Sequence, residues 1–334
     1  MRTRAAVAAM LALGSLIGSA AAWTQESGGQ VVTSLTLFAG TPSGLWWSKN
    51  WGGKWERVVG RSEGVSLAEV GTVRGILPTG RQVYLAAETG LYLSEDFGQT
   101  WKKLGLDVPV YTVLPSRYTN ADPTVFVGTA DGLYKSPDAG KTFAPTVLRG
   151  TPVTRIEWPG HALIVTTGNG VLVSQDVALS FRSGTGLPEG TPHGLAVSGF
   201  FAKDPVLFTA VGSAGVFRSA DGGQTWNPAG LEGRTVRDIV WLGPILFAAA
   251  DEGLFRSDDA GQKWVLASGL AARPASQILF PLAPDSGLEA FVATEDGIVH
   301  TVDGGAHWKP AGAPEDRVLR LATFPPPDRG KMRK

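Results

Sequence analysis

The stretch from Gly90 to Trp101, GLYLSEDFGQTW, decides the fold because the chain contains seven copies of it. Each copy has a glycine, a hydrophobic strand and the phrase Ser-x-Asp-x-Gly-x-x-Trp, with limited substitutions. The Ser or Thr of successive copies lies 38 to 46 residues after the previous one, which is the length of a four-stranded propeller blade and exceeds most helical and leucine-rich repeats. The copies begin at Gly44, Gly90, Gly132, Gly170, Gly215, Gly253 and Gly297.

Each repeat contains four short runs of β-branched and aromatic residues bounded by Gly, Asp or Pro, which is the pattern of β-strands. In the sixth copy the runs are VRDIVWL from Val236, ILFAAA from Ile245, GLFRS from Gly253 and KWVLA from Lys263. Asp-Gly and Asn-Gly dipeptides between the second and third runs predict tight hairpins. The sequence therefore predicts an all-β fold, a seven-bladed β-propeller of four-stranded antiparallel blades.

The two ends of the repeat region predict how the ring closes. The first run, LTLFAGT at residues 35–41, matches the second strand of a blade and has no first strand before it. The last run, RVLRLATF at residues 317–324, matches a first strand and no blade follows it. We expect this last strand to complete blade 1, which leaves no open sheet edge.

The repeated phrase itself predicts a turn with a structural role. Its acidic or amide side chain accepts hydrogen bonds from turn amides, the glycine adopts a left-handed conformation, and the aromatic residue caps the gap between blades. In the fourth copy Ala178 replaces the glycine, which predicts a distorted turn. The seven predicted acceptors are Asn50, Asp96, Asp138, Asp176, Asp221, Asp259 and Asp303.

The two ends of the chain differ in composition from its body. Residues 1–22 carry two arginines, an apolar stretch and a run of small residues, which predicts a signal peptide and a secreted or periplasmic protein. Residues 328–334, with four basic residues and one acid, predict a disordered tail that leaves contact with a membrane surface open. The chain has 30 basic and 30 acidic residues, so residues 23–327, the predicted propeller, carry a net charge of −5. This charge argues against general nucleic-acid binding.

Several kinds of chemistry are disfavoured by residue content. The chain has no cysteine, which excludes disulfides and thiolate metal sites. Its four histidines show no paired metal spacing, so neither a metal nor a cofactor is predicted. The sequence GRSEG at residues 60–64 fits the nucleophile-elbow pattern, but that motif requires a strand, turn and helix of an α/β fold.

The seven phrases resemble those of the Asp-box (BNR) repeat proteins over residues 23–327. Among these proteins the chain is most similar to the photosystem II assembly and stability factor family and its bacterial homologues, which are single seven-bladed propellers. The resemblance implies that the Asp-box hairpins lie away from the ligand-binding face. Sialidases and xyloglucanases share the phrase, but the sequence shows no arginine triad with a tyrosine nucleophile and no second propeller to form a cleft. A shared fold does not by itself give function.

Basic and aromatic residues recur on the predicted inner strands, where they would line the central channel. Such a site suits an acidic peptide, a carboxylate or a phosphate. The alternative is that the arginines form ion pairs between blades with Asp238, Glu157 and Asp107. The candidate ligand-binding residues are Arg74, Tyr111, Arg155, His193, Arg237 and Arg320.

The first hairpin carries an aromatic cluster of Trp46, Trp47 and Trp51. Because alternate residues of a strand face opposite sides, we expect core packing to explain Trp46 or Trp47 but not both. Trp51 is a candidate contact for a partner or a sugar, and packing between blades is the alternative.

These observations together favour a secreted, monomeric, non-catalytic propeller that recognises a protein partner or an acidic ligand at its channel face. The alternative is a carbohydrate-binding or glycoside-hydrolysing Asp-box protein. That alternative predicts carboxylates and exposed aromatic side chains grouped on one face.

Overall fold

A computed structural model describes residues 36–62, 65–116, 122–242, 245–267, 269–281 and 289–324. Their strands form seven four-stranded antiparallel sheets arranged as the blades of a ring, and a two-stranded hairpin lies between blades 1 and 2. The predicted seven-bladed β-propeller is therefore confirmed. The predicted signal peptide and basic tail lie outside the described residues.

Each blade has an inner, a second, a third and an outer strand. From blade 1 to blade 7, the inner strands are Arg320–Phe324, Val73–Thr79, Val110–Pro115, Val153–Glu157, Pro192–Val197, Val236–Leu242 and Ala275–Leu279. The second strands are Thr36–Thr41, Gln82–Ala87, Val125–Thr129, Leu163–Thr167, Leu207–Val211, Ile245–Ala250 and Ala290–Thr294. The third strands are Gly44–Ser48, Gly90–Ser94, Gly132–Ser136, Gly170–Ser174, Val216–Ser219, Gly253–Ser257 and Gly297–Thr301.

The outer strands are short except in blade 3. They are Glu56–Arg57, Lys102–Lys103, Ala144–Arg149, Arg182–Ser183, Asn227–Pro228, Val265–Leu266 and Lys309–Pro310. The remaining elements are the hairpin strands Arg61–Ser62 and Val65–Ser66 and the 3₁₀ turns Leu67–Glu69 and Gly212–Ala214.

The ring closes through blade 1, as the sequence predicts. The strand Arg320–Phe324 pairs antiparallel with Thr36–Thr41, so that Arg320 lies opposite Gly40 and Phe324 opposite Thr36. The first and last described strands therefore share one sheet, and every blade has its four strands.

The core lies between the blades rather than at the centre of the ring. Seven clusters of buried apolar side chains each combine residues of two neighbouring blades. Second strands are covered on both faces, and they carry small residues where the next inner strand approaches. At Gly40, for example, a Cβ would lie 2.6 Å from Cγ1 of Val73 in the next blade. Close packing at this point requires glycine.

The Asp-box turns form as the sequence predicts. In blade 2, Oγ of Ser94 donates to Oδ1 of Asp96 at 2.8 Å, and the amide of Gly98 donates to Oγ of Ser94 at 2.8 Å. The amide of Thr100 donates to Oδ1 of Asp96 at 2.8 Å. The bond equivalent to that between Thr100 and Asp96 occurs in each of the other six blades. In blade 1 its acceptor is Asn50.

The hydrogen bonds of these turns stabilise ionised carboxylates. Bonds from the amide and hydroxyl of Thr142 lower the pKa of Asp138 to about 2. Bonds from the hydroxyl and amide of Ser180 lower the pKa of Asp176 to about 2. A carboxylate that accepts several hydrogen bonds resists protonation in this way.

The expected distortion at Ala178 is wrong. Ala178 adopts φ +71°, and its amide donates to Oγ of Ser174 at 2.9 Å, as the glycine amides do in other blades. The turn keeps its shape because alanine accepts the left-handed conformation at an energetic cost. Val177, the residue before it, also has a positive φ of 58°.

Core packing involves both tryptophans of the first hairpin, so the expectation that only one of them packs is wrong. Trp47 packs against the cluster between blades 1 and 2, and Trp46 against the cluster between blades 7 and 1. The two faces of blade 1 each have a neighbour, so opposite orientations both lead to a core. Trp51 is 40% exposed and its ring centroid lies 6.0 Å from that of His300 in blade 7.

Candidate functional site

The site is built at the start of the inner strands, which we call the channel mouth. In blades 2 to 7 the register of the inner strand shifts near this start, as in a β-bulge. A bulge redirects side chains and is common beside functional sites. The Asp-box turns lie at the other end of the blades, since Ser48 is opposite Leu37 and Arg320 is opposite Gly40.

The strand pairings divide the candidate residues between two successive positions of the inner strands. Arg74, Tyr111 and Arg237 are the bulged residues at the second position. His193 is the second residue of its strand and is paired with Ala210, because the bulge of blade 5 lies later. Arg155 and Arg320 occupy the third position, where the other blades have Gly75, Thr112, Gly194, Asp238 and Gln277. The basic residues therefore form two adjacent layers at the mouth rather than a single ring.

Third-position side chains connect blades across the mouth. Nη2 of Arg155 in blade 4 donates to Oδ1 of Asp238 in blade 6 at 2.9 Å. The amide of Ile278 in blade 7 donates to Oδ2 of Asp238 at 3.2 Å. The side-chain amide of Gln277 bonds both the N–H and the C=O of Leu321 in blade 1. These contacts join four blades.

Arg320 differs from the other three candidate arginines. Its Nε donates to the carbonyl of Arg74 at 2.8 Å and its Nη1 to the carbonyl of Leu319 at 3.4 Å. Among the described residues no carboxylate pairs with it. Repulsion by Arg155 and burial lower the pKa of Arg320 to about 9, against the attraction of Asp238. The guanidinium is still charged at neutral pH and is available to an anion.

Arg74 and Arg237 lie nearer the rim and pair with carboxylates of their own blades. Nη2 of Arg74 lies 3.2 Å from Oε2 of Glu88, and its guanidinium carbon lies 5.2 Å from the ring centroid of Tyr111. Nε of Arg237 donates to Oδ1 of Asp251 at 2.6 Å. Both pairs are partly exposed, and exposed pairs exchange partners at little cost.

His193 completes the site between Arg155 and Arg237. Loss of solvation, then the charges of Arg237, Arg155 and Arg320, lower the pKa of His193 below its usual value. Its imidazole is therefore neutral at pH 7. All three arginines act on His193, which lies on the inner strand between those of Arg155 and Arg237.

Of the acidic residues expected to pair with the arginines, one does so and another pairs with a lysine. Asp238 pairs with Arg155, whereas Asp107 pairs with Lys103 at 2.6 Å. Glu88, Asp251 and Gln277 are contacts of the site that sequence reasoning missed. Asp251 and Glu88 both lie in the turn after a second strand, close to the mouth, and this position is the signal that would have found them.

Other sequence candidates lie elsewhere. Asp238 lies at the channel mouth, whereas Trp47 and Trp51 lie at the Asp-box end of blade 1, so this carboxylate and these aromatic side chains are not grouped on one face. Arg61 and Ser62 of the nucleophile-elbow pattern pair with Ser66 and Val65 in a two-stranded ladder, and no α-helix occurs among the described residues.

The described residues contain no group of three or more His, Cys, Asp or Glu side chains arranged to hold a metal ion. In the same part of the chain, no helix has the length and apolar character needed to cross a membrane.

Comparison with known proteins agrees with the Asp-box assignment. Residues 91–104 match the family model described as the BNR-Asp box repeat. No curated protein sequence matches the chain. The chain is thus a seven-bladed propeller of Asp-box repeats. Its similarity to individual proteins is seen in their three-dimensional structures and not in their sequences.

Solved structures share this fold at low sequence identity. YCF48 from Cyanidioschyzon merolae aligns with a TM-score of 0.59 at 13% identity, covering 82% of this chain and 92% of that chain. YCF48 bound to D1 peptide aligns with a TM-score of 0.62 at 15% identity, covering 80% and 89%. An ancestral GH74 enzyme aligns with a TM-score of 0.58 at 17% identity, covering 76% of this chain and 38% of the enzyme. The fold is therefore shared by a peptide-binding protein and by an enzyme.

Proposed function

We propose that this propeller is a non-catalytic binding module that recognises an acidic segment of a protein partner at its channel mouth. Arg320 carries this proposal because it lies at the third position of the mouth, donates to backbone carbonyls, and has no carboxylate partner among the described residues. A cation held in place by carbonyl oxygens is ready to form a charge-assisted, two-point hydrogen bond with an incoming carboxylate. Arg237 and Arg155 add positive charge around it, and the neutral imidazole of His193 lies on the inner strand between theirs.

The structural likeness to YCF48 bound to D1 peptide supports a peptide as the ligand, because it shows that a propeller of this shape accommodates one. The chemistry of the mouth supports the same ligand class. The one described acid at the third position, Asp238, accepts hydrogen bonds from Arg155 and Ile278. The nearby Glu88 and Asp251 pair with Arg74 and Arg237, so these carboxylates are engaged in contacts of the mouth itself.

A direct test uses fluorescein-labelled octapeptides of Gly and Ser with an amidated C terminus and zero, one or two adjacent glutamates. Fluorescence anisotropy measures their binding to the purified protein at low salt. We expect the one-glutamate peptide to bind at least tenfold more tightly than the peptide without glutamate, and the preference to weaken as salt is added. Equal affinity for the two peptides would contradict the proposal.

Two variants locate the site. Arg320→Gln removes the free cation and is expected to abolish the preference for glutamate. Arg256→Gln is the matched control, because Arg256 lies at the Asp-box end of blade 6 in an ion pair with Asp258 at 2.8 Å. The control should retain the preference. Thermal unfolding of both variants checks that the propeller is intact.

We also propose that the protein acts outside the cytoplasm, as the signal-like residues 1–22 suggest. Fractionation of the source cells, followed by N-terminal sequencing of the recovered protein, tests this. A mature N terminus at Trp23 in the extracytoplasmic fraction is expected, and an intact Met1 in the cytoplasm would refute it.

A further inference from the structure

Asp238 is the acidic side chain at the third position of the inner strands, and it is buried with only 4% exposure. Its two carboxylate oxygens have separate partners. Oδ1 accepts from Arg155 at 2.9 Å and Oδ2 accepts from the amide of Ile278 at 3.2 Å. The position of this carboxylate is therefore fixed by two blades other than its own.

The contact with Arg155 passes over blade 5. Gly194 occupies the third position there, and a Cβ at Gly194 would lie 2.6 Å from the amide nitrogen of Ile239. Glycine at this position lets the inner strands of blades 5 and 6 approach closely, beside the contact between Arg155 and Asp238. The third positions of blades 4, 5 and 6 thus carry Arg155, a glycine and Asp238 in order.

Because of this ion pair, the two third-position arginines differ in whether they have a carboxylate partner. Arg155 has an internal carboxylate, whereas Arg320 has only carbonyl partners among the described residues. Arg155 and Arg320 repel each other, and Asp238 offsets part of that repulsion. Asp238 occupies at Arg155 the place that a ligand carboxylate would occupy at Arg320.

We propose that Asp238 determines the specificity of the channel mouth by acting as an internal substitute for a ligand carboxylate. Asp238 holds Arg155 in an internal ion pair and leaves Arg320, among the described residues, as the unpaired cation at the third position. The site therefore accepts a single carboxylate group. This inference rests on the proposed function. It predicts that a second adjacent carboxylate on the ligand finds no open partner at this depth.

The labelled octapeptides with one and with two glutamates test the proposal. In the wild type we expect the two peptides to bind with affinities within about threefold of each other. Asp238→Asn keeps an oxygen that accepts from Ile278 but removes the charge that holds Arg155. In this variant the two-glutamate peptide should bind at least tenfold more tightly than the one-glutamate peptide, the effect of one added charge-assisted hydrogen bond.

A second pair of variants keeps the test decisive if Asp238→Asn does not fold. Arg155→Gln frees the Asp238 carboxylate to attract Arg320, and we expect the affinity for the one-glutamate peptide to fall at least tenfold. Adding Asp238→Asn to Arg155→Gln removes the competitor and should restore most of that loss. A double variant as weak as Arg155→Gln would show that Arg155 contacts the ligand itself, and would overturn the proposal.

The outcomes separate this inference from the proposed function. If no glutamate peptide binds the wild type better than the peptide without glutamate, the proposed function fails and this inference falls with it. If the wild type prefers glutamate but a folded Asp238→Asn keeps the wild-type ratio between the two glutamate peptides, only the role of Asp238 is refuted.

Discussion

The Asp-box end and the channel mouth are opposite ends of the same seven blades, and they satisfy their polar groups in different ways. At the Asp-box end each turn is self-contained, as when Ser94 and Thr100 both bond Asp96. At the third position of the mouth the partners come from different blades, as in the contact of Arg155 with Asp238. A self-contained turn works in every blade and is repeated, whereas a contact between blades depends on which blades face each other. In this propeller the residues that do not repeat therefore mark the candidate site.

The largest expected effect concerns the packed Asp-box end. Trp101 is 1% exposed, packs with Phe38 of blade 1, and its indole N–H donates to the carbonyl of Gly98 at 3.0 Å. We expect Trp101→Ala to lower the free energy of unfolding by about 3–5 kcal/mol in urea titrations, the usual cost of emptying a buried aromatic site.

Trp51→Ala is the control for that substitution, because Trp51 belongs to an Asp-box turn and is 40% exposed. Its loss should stay below about 1 kcal/mol, as expected for surface positions. Equal losses in the two variants would mean that burial at the joint between blades does not hold this end together.

The next largest effect tests the close approach at the mouth. Gly194 has φ +69°, and its Cβ would lie 2.6 Å from the amide nitrogen of Ile239. Gly233 has a similar φ of +78° and open space around its Cβ position. Urea titration should show a loss of about 2 kcal/mol or more for Gly194→Ala and about 1 kcal/mol for Gly233→Ala, because only the first adds a steric clash to the backbone strain. Similar losses of stability in the two variants would show that the strands at the mouth shift to accommodate the added methyl group.

The acid dependence of stability tests the Asp-box end alone, through protonation of its carboxylates. The pKa values of Asp138 and Asp176 are lowered to about 2 in the folded protein. Ionised carboxylates of this kind stabilise the fold above the unfolded pKa near 4, and the contribution is lost as the pH falls toward 2. We expect the double variant Asp138→Asn with Asp176→Asn to be less stable than the wild type at pH 6, and the difference to shrink between pH 4 and pH 2.

Asp258→Asn is the control for that measurement, because Asp258 pairs with Arg256 outside the hydrogen bonds of the turn. Urea midpoints at pH 6, 4, 3 and 2 give the comparison. A difference between the double variant and the wild type that does not depend on pH would assign the effect to geometry instead of charge.

The same contrast explains what the sequence could reveal. The repeat spacing predicted the blades, and the missing first strand predicted the closure by Arg320–Phe324, because local patterns dictate both. The arginines could be placed on inner strands, but their division into two layers could not be foreseen. That division depends on the bulges near Arg74 and Arg237, which a one-residue uncertainty in register conceals.

Contacts between distant repeats could not be predicted from the sequence for a related reason. Arg155 and Asp238 are 83 residues apart and belong to blades separated by a third one. Neither residue type nor periodicity reveals that the side chain of Arg155 reaches Asp238 two blades away. Trp46 and Trp47 illustrate the opposite error, since a strand with neighbours on both faces buries both of its alternating sides.

The smallest expected effect concerns an imperfection at the well-repeated end. Val177 has φ 58° in its Asp-box turn, a conformation unfavourable for a β-branched residue, whereas blades 5 and 7 have Gly222 and Gly304 at the same place. Val177→Gly should raise the free energy of unfolding by about 0.5–1 kcal/mol, because relief of strain exceeds the entropy cost of glycine. Val265→Gly, at an exposed valine in an extended strand, should instead lower it by a similar amount. If both substitutions destabilise the protein, the turn tolerates valine without strain, and the repeated phrase constrains its backbone less tightly than its hydrogen bonds imply.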